Sequence, residues 1–156
     1  LDKLKYAACI TQIINDVTYE NQNTYRILQL YLNTLYMISE TDKNLDLVLS
    51  VFKIRLLCLL GFTPEINKCT TCNSTENFTS FSIKDNGFKC AACAKQDTSC
   101  INLTPTTIDA IRYIISCPHK KVFSFDLPEE SIREISLISK LYLDEKLEKE
   151  YKLEKY

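Results

Sequence analysis

Apolar residues recur along this chain at helical spacing. Leu4, Ala7, Ile10, Ile13, Ile14 and Val17 share one face, and the spacing predicts an amphipathic helix over about residues 2–18. Glu20-Asn21-Gln22-Asn23 is a polar break. Leu28, Tyr31, Leu32, Leu35 and Ile38 then predict a second stripe, with Asn23 or Thr24 as N-cap. The third segment, about residues 44–60, differs. Leu45, Leu47, Val48, Leu49, Val51 and Phe52, with the apolar run that follows them, leave few polar positions. That is the pattern of a helix buried on all sides. Gly61 supplies its stop, and Pro64 forbids continuation.

Residues 66–95 are smaller, more polar and cysteine-bearing. Phe81-Ser82-Ile83 alternates, Asn86-Gly87 is a hairpin signal, and Phe88-Lys89-Cys90 fits a returning strand. Thr104-Pro105 opens another helix, lined by Ile108, Ile111, Ile114 and Ile115 and ended by Pro118. Pro128-Glu129-Glu130 opens the last, with acidic residues at the positive end of its dipole. Its inward positions are Ile132, Ile135, Ile138 and Leu141. From Asp144 onward the pattern thins to Glu/Lys alternation, read as a solvated or frayed helix.

The paired spacing Cys69-x2-Cys72 and Cys90-x2-Cys93 is the most specific signal in the chain. Two residues between cysteines let one tight turn aim both thiolates at a common point. Two such turns joined by a hairpin complete a tetrahedron around an ion that prefers sulfur and nitrogen. A disulfide framework is the main competitor, since the 8 cysteines are even in number. Disulfide-dense domains are small and core-poor, however, and this chain has four or five good helices. A redox pair lacks its βαβ setting. The expectation is one structural Zn2+, because four thiolates leave no position for water. Cys9, Cys58, Cys100 and Cys117 read as small buried hydrophobes. Cys100 is near enough in sequence to substitute as a ligand, but is not favoured.

The fold expected is therefore mainly α: a compact helical bundle with an inserted four-cysteine zinc-binding β-hairpin at about residues 66–95. A chain of 156 residues fits one domain, and at that size folding buries roughly 70% of the unfolded surface. With only 2 Gly and 4 Pro, an all-β protein full of tight turns is disfavoured. The formal charge of -1 is a weak footprint for a nucleic-acid binder. Four thiolates and one divalent ion would take it to -3, an excess that Lys68, Lys89 and Lys95 could offset locally. No apolar run can span a bilayer, the longest being Leu56 to Phe62. The start at Leu1 reads as a fragment. No phosphate loop, nucleophile elbow or paired-acid helix is visible, and the single histidine, His119, reads as a loop residue. A non-enzymatic protein is expected.

Phe52, Arg55-Leu56-Leu57 and Leu60-Gly61-Phe62-x-Pro64, running into Cys69-x-x-Cys72, make the chain resemble the C-terminal part of the bacterial RecO recombination mediators. The later cysteine pair, Leu103-Thr104-Pro105 and Tyr142-Leu143 extend the likeness over nearly the whole chain. Asn73 departs from it, standing where the family commonly has Gly, and the terminal segment is more charged than usual. The resemblance implies a C-terminal helical domain over residues 1–156, without the family's N-terminal oligonucleotide-binding domain. It implies a cytoplasmic, nucleoid-associated DNA repair and recombination role: recombinase loading and strand annealing, with this part as scaffold and docking surface. The implied partners are RecR and single-stranded DNA-binding protein, with single-stranded DNA bound mainly through the missing domain. No membrane partner is expected. The acidic tail of single-stranded DNA-binding protein would need an apolar pocket and one or two cations. Lys53, Arg55, Arg112 and Lys140 are the candidates. The alternative is a zinc ribbon binding nucleic acid directly, through Lys84, Lys89, Phe81 and Phe88.

Overall fold

A computed structural model describes residues 2–18 and 24–153. The elements run α1 (Asp2–Val17), α2 (Thr24–Glu40), α3 (Leu45–Leu59), β1 (Phe78–Ser82), β2 (Gly87–Cys90), α4 (Ala91–Lys95), β3 (Ile101–Asn102), α5 (Pro105–Ser116) and α6 (Glu129–Leu147). The fold is mainly helical, with one small antiparallel sheet of order β2-β1-β3. The expected class holds: a helical bundle with an inserted hairpin that bears four cysteines. The polar break at residues 20–23, and with it Asn23 as N-cap, lies outside the described residues.

Helix α3 is the hub. The Asn44 side chain caps it, accepting from the Leu47 N–H at 3.0 Å. Every residue from Leu47 to Ile54 is buried, as are Leu56 and Leu57. Helices α1, α2, α5 and α6 pack around it. Each fully buried Leu, Ile or Phe contributes about 1.5–3 kcal/mol relative to an exposed one. Gly61 ends the helix at φ +92°, a left-handed backbone that glycine takes without a Cβ penalty. The Phe62 N–H donates to the Leu57 carbonyl at 2.8 Å and the Gly61 N–H to the Cys58 carbonyl at 3.2 Å. This paired closure satisfies two carbonyls left over by the last turn.

Three expectations about facing are corrected. On α2 the inward positions are Ile27, Leu30, Thr34 and Ile38, while Leu28 and Leu32 are exposed. Apolar residues occupy more than one face of this helix, so spacing alone does not choose between them. Leu141 on α6 is likewise exposed. Third, the segment after α6 is neither a solvated helix nor frayed as far as Leu153. Glu148 ends α6 in a left-handed conformation, and the chain folds back onto α1 and α6. Tyr151 is only 3% exposed, its hydroxyl donating to Asp16 at 2.7 Å and its backbone N–H to Asp144 at 3.3 Å. Lys149 pairs with the same Asp16 at 2.9 Å. One aromatic ring with a partner for its hydroxyl docks an otherwise polar segment.

Helices α5 and α6 are joined by Glu134. Its carboxylate accepts from the Thr104 N–H at 3.0 Å, the Thr104 hydroxyl at 2.8 Å and the Thr107 hydroxyl at 2.5 Å. It therefore caps α5 from a neighbouring helix. Burial alone would raise its pKa, but the bonds from Thr107 and Thr104 outweigh that and hold it below the ordinary value. A depressed carboxylate pKa contributes stability that is complete above the unfolded value, about 4.3, and lost as pH falls through the folded value. We predict that Glu134→Gln lowers stability at neutral pH by about 1–3 kcal/mol. The deficit should shrink below about pH 4 as the native carboxylate protonates. Urea midpoints of the two proteins across pH 3–7 check this; a pH-independent gap rejects it.

Candidate metal centre

The cysteine-bearing insert is mounted on the end of α3. The Glu65 N–H donates to the Asn86 carbonyl at 2.8 Å, and the Phe88 N–H returns to the Glu65 carbonyl at 3.0 Å. This bridge brings the segment before Cys69 alongside β2. The Arg112 guanidinium donates to the Ile66 carbonyl at 3.1 and 3.2 Å and lies 4.9 Å from the Phe78 ring centre. Phe81 packs edge-on against Tyr142 of α6 at 5.4 Å, and both Phe81 and Phe88 join the main core. The hairpin differs from the expected two-residue turn. Residues 83–86 form the turn, with Asn86 left-handed at φ 63°, while Gly87 begins β2. Gly87 is required for space: a Cβ there would stand 2.5 Å from the Glu65 carbonyl oxygen.

Each cysteine pair is held by its own turn. Cys69 donates its N–H to the Ser74 carbonyl at 2.7 Å and accepts at its carbonyl from the Asn73 N–H at 3.0 Å. Asn73 has φ 65°. Asparagine tolerates that region better than other residues with a Cβ, which accounts for its presence where glycine would serve. Cys90 ends β2, and Cys93 lies in the first turn of α4.

The four Sγ atoms all lie within 4.8 Å of one another, and Cys72 and Cys90 are 3.7 Å apart. A tetrahedron with metal–sulfur bonds of about 2.3 Å has edges of about 3.8 Å, so the cluster is near the size that could hold a metal ion. Among the described residues this is the one such group of His, Cys, Asp and Glu side chains. Cys100 is not part of it, and all eight cysteines are unbridged. Cys69 is fully buried, which alone would raise its pKa. Backbone N–H groups of Cys72, Cys90 and Thr71 outweigh burial and bring it to about 6. Sulfur-to-sulfur hydrogen bonding, with Cys90 first, pushes Cys93 up to about 12. A bound divalent ion would favour the thiolate form of all four ligands.

Of the other cysteines, Cys9 and Cys117 are buried, while Cys58 and Cys100 are half-buried. His119 sits in a short 3-10 turn, His119–Lys121, with its pKa lowered by burial and by Arg55 and Arg26. The four candidate cations divide into two kinds. Arg55 donates to the carbonyls of Ile114 at 2.8 Å and Cys117 at 3.0 Å, closing the end of α5. Arg112 holds the insert, as above. Lys53 and Lys140 instead line one cavity of about 270 Å³ between α3, α6, Cys9 of α1 and the C-terminal segment. Lys53 is 4% exposed and makes no hydrogen bond or ion pair with any described residue, and burial pushes its amine pKa down. Lys140 pairs with Asp144 at 2.7 Å and donates to the Tyr151 carbonyl at 3.2 Å. This cavity had no signature in the sequence, because two of its walls come from opposite ends of the chain.

Residues 1–155 match the family model described as "Recombination protein O C terminal". The chain is 39% identical over 153 residues to a DNA repair protein RecO of Acetivibrio thermocellus, covering 97% of this chain and 61% of that protein. A RecO of Bacillus subtilis is 28% identical over 141 residues, covering 90% and 54%. One of a Thermoanaerobacter species is 27% identical over 152 residues, covering 97% and 61%. The chain thus spans little more than half to three fifths of the length of these curated relatives.

Gly87 offers a test of how the insert is mounted. Gly87→Ala should force apart the Glu65–Gly87 bridge and destabilise the insert locally by about 1–3 kcal/mol. Hydrogen exchange should speed up at the Glu65 and Phe88 amides while the α3 amides keep their protection. Equal loss of protection in both regions would mean that the insert and the bundle unfold as one unit.

Proposed function

The chain belongs to the RecO C-terminal family, and on that footing we propose that it is the zinc-bearing, non-enzymatic helical domain of a DNA repair and recombination mediator. The observation that carries this reading is the coincidence of the family match over residues 1–155 with a four-sulfur cluster of tetrahedral size. Zn2+ suits an all-thiolate set because it takes sulfur ligands readily and imposes no geometry beyond the tetrahedron. Cys69, Cys72, Cys90 and Cys93 would hold it. Once bound, the ion supplies charge compensation and a cross-link between two turns. The protein's own part is to present four thiolates, with N–H groups from Thr71 and Cys90 already donating to Cys69 at 3.5 and 3.4 Å.

The wider role is a scaffold and docking surface acting in the cytoplasm at the nucleoid, alongside RecR and single-stranded DNA-binding protein. It would support recombinase loading and strand annealing, with DNA held mainly by the part of the mediator outside this chain. The formal charge of -1 favours protein partners over a phosphate backbone here. The zinc-ribbon alternative is weakened by burial: Phe81, Phe88 and Lys89 are inside, and of its four residues only Lys84 is exposed. Among Lys53, Arg55, Arg112 and Lys140, the two arginines and Lys140 already serve backbone carbonyls, and Lys140 also pairs with Asp144. Lys53 is therefore the leading cation for an acidic tail, with Lys140 beside it and Leu49 and Leu153 as apolar wall.

Two experiments test these proposals. Protein purified without chelator should carry about one zinc per chain by elemental analysis. Cys90→Ser should lose zinc and local order yet keep most of its helical circular dichroism, because the bundle has its own core. A zinc-free protein with these thiols oxidised rejects the metal assignment. Separately, the chain is titrated at physiological salt with the tail peptide of single-stranded DNA-binding protein and with an oligonucleotide. Peptide binding that weakens about tenfold in Lys53→Met, a loss of ~1.4 kcal/mol, is expected, with weak oligonucleotide binding. Tight oligonucleotide binding without peptide binding favours the ribbon reading instead.

A further inference from the structure

Lys89 is a buried cation beside the metal cluster. Its side chain is 5% exposed, yet its ammonium reaches three oxygens from three separate segments. It pairs with Asp85 at 2.6 Å, in the turn between β1 and β2. It donates to the Thr71 hydroxyl at 2.7 Å, inside the first cysteine turn. It lies 3.5 Å from Asp97, just after α4 and the second cysteine turn. The two carboxylate partners are themselves fixed. The Asp85 N–H donates to the Ser82 hydroxyl at 2.9 Å. Asp97 accepts from the Ser99 N–H at 3.0 Å and the Ser99 hydroxyl at 2.6 Å, and its own N–H donates to the Ala94 carbonyl at 3.3 Å.

Two roles are open to such a lysine. One is to neutralise thiolate charge. The arrangement argues against it: one ammonium faces two carboxylates, so the group as a whole carries about one negative charge and would repel thiolates if anything. The other is to fix geometry. A buried ion pair is seldom worth more than well-packed apolar residues of the same volume, so the ammonium is not needed merely to fill the hairpin. What an apolar chain could not do is tie Thr71, Asp85 and Asp97 to β2 at one point.

We infer that Lys89 is a positioning residue for the metal centre, fastening both cysteine turns and the hairpin turn into one frame before the ion arrives. This rests on the metal assignment proposed above. Cys69 and Cys72 flank Thr71 and its preceding residue. Cys93 is joined to Asp97 through the short α4, and Cys90 directly follows Lys89. The fastener thus touches the segment of every ligand without touching the ion. Holding the ligands in place beforehand lowers the ordering cost of binding and slows release.

The test compares zinc affinity and release rate in the wild-type chain, Lys89→Met and Thr71→Val, by competition against a chromogenic chelator. Thr71 is exposed, so its valine variant removes one hydroxyl with little risk to folding. Lys89→Met should bind zinc about 10- to 100-fold more weakly, with unchanged helical circular dichroism. Thr71→Val should weaken binding less, in the same direction, and Thr71→Ser should restore it. Wild-type affinity in both Lys89→Met and Thr71→Val overturns the fastener. If Lys89→Met does not fold, Thr71→Val against Thr71→Ser decides. A wild-type chain that binds no zinc overturns the metal assignment, and the fastener with it; zinc in the wild type and no change in the variants overturns the fastener alone.

Discussion

A helix with almost no polar face cannot lie on a surface, and the rest of this molecule is arranged around that constraint. From Leu47 to Ile54 every residue of α3 is buried, so α1, α2, α5 and α6 must cover it. The two basic residues in the same helix are accommodated rather than excluded. Arg55 turns its guanidinium onto the last carbonyls of α5, converting a charge into a helix closure. Lys53 extends toward a cavity that Asp46 also lines, and it makes no hydrogen bond or ion pair with any described residue. Burial pushes its amine pKa down, opposed by Asp144 and Asp46.

The insert is built onto this body at several points. The glycine stop of α3 releases the chain directly into the segment that pairs with β2. Arg112 of α5 grips the Ile66 carbonyl, and the Tyr142 hydroxyl of α6 donates to the Phe62 carbonyl at 3.0 Å. Phe81 and Phe88 place the inner face of the sheet in the common core. The sulfur cluster sits at the outer end, where Cys72 is exposed and Cys93 half-buried while Cys69 and Cys90 are inside. Such an arrangement separates two sources of order. Hydrophobic burial fixes where the sheet stands, and the cysteine turns with Lys89 fix how its far end is shaped.

The sequence by itself determined the five long helices, the stop at Gly61, the cap at Thr104 and the identity of the four clustered cysteines. These are local properties: period, cap chemistry, a left-handed turn and a two-residue spacing each act within a few residues. It also determined that Asn86-Gly87 would mark a turn, though not which of the two would bend it. Asn86 takes the left-handed backbone, and Gly87 is small because Glu65 passes 2.5 Å from where a Cβ would be. Tertiary structure alone decided the remaining questions. Which face of α2 turns inward depends on where α1 and α3 lie, since its apolar residues ring more than one side. The docking of Tyr151 depends on Asp16, 135 residues away. That Arg55 closes α5, Arg112 holds the insert and Lys53 and Lys140 line one cavity depends on how distant elements pack. The meeting of Lys89 with Thr71, Asp85 and Asp97 depends on a hairpin closing. Contacts between distant segments are set by the packing of whole elements, and no pattern within a short window of sequence encodes them.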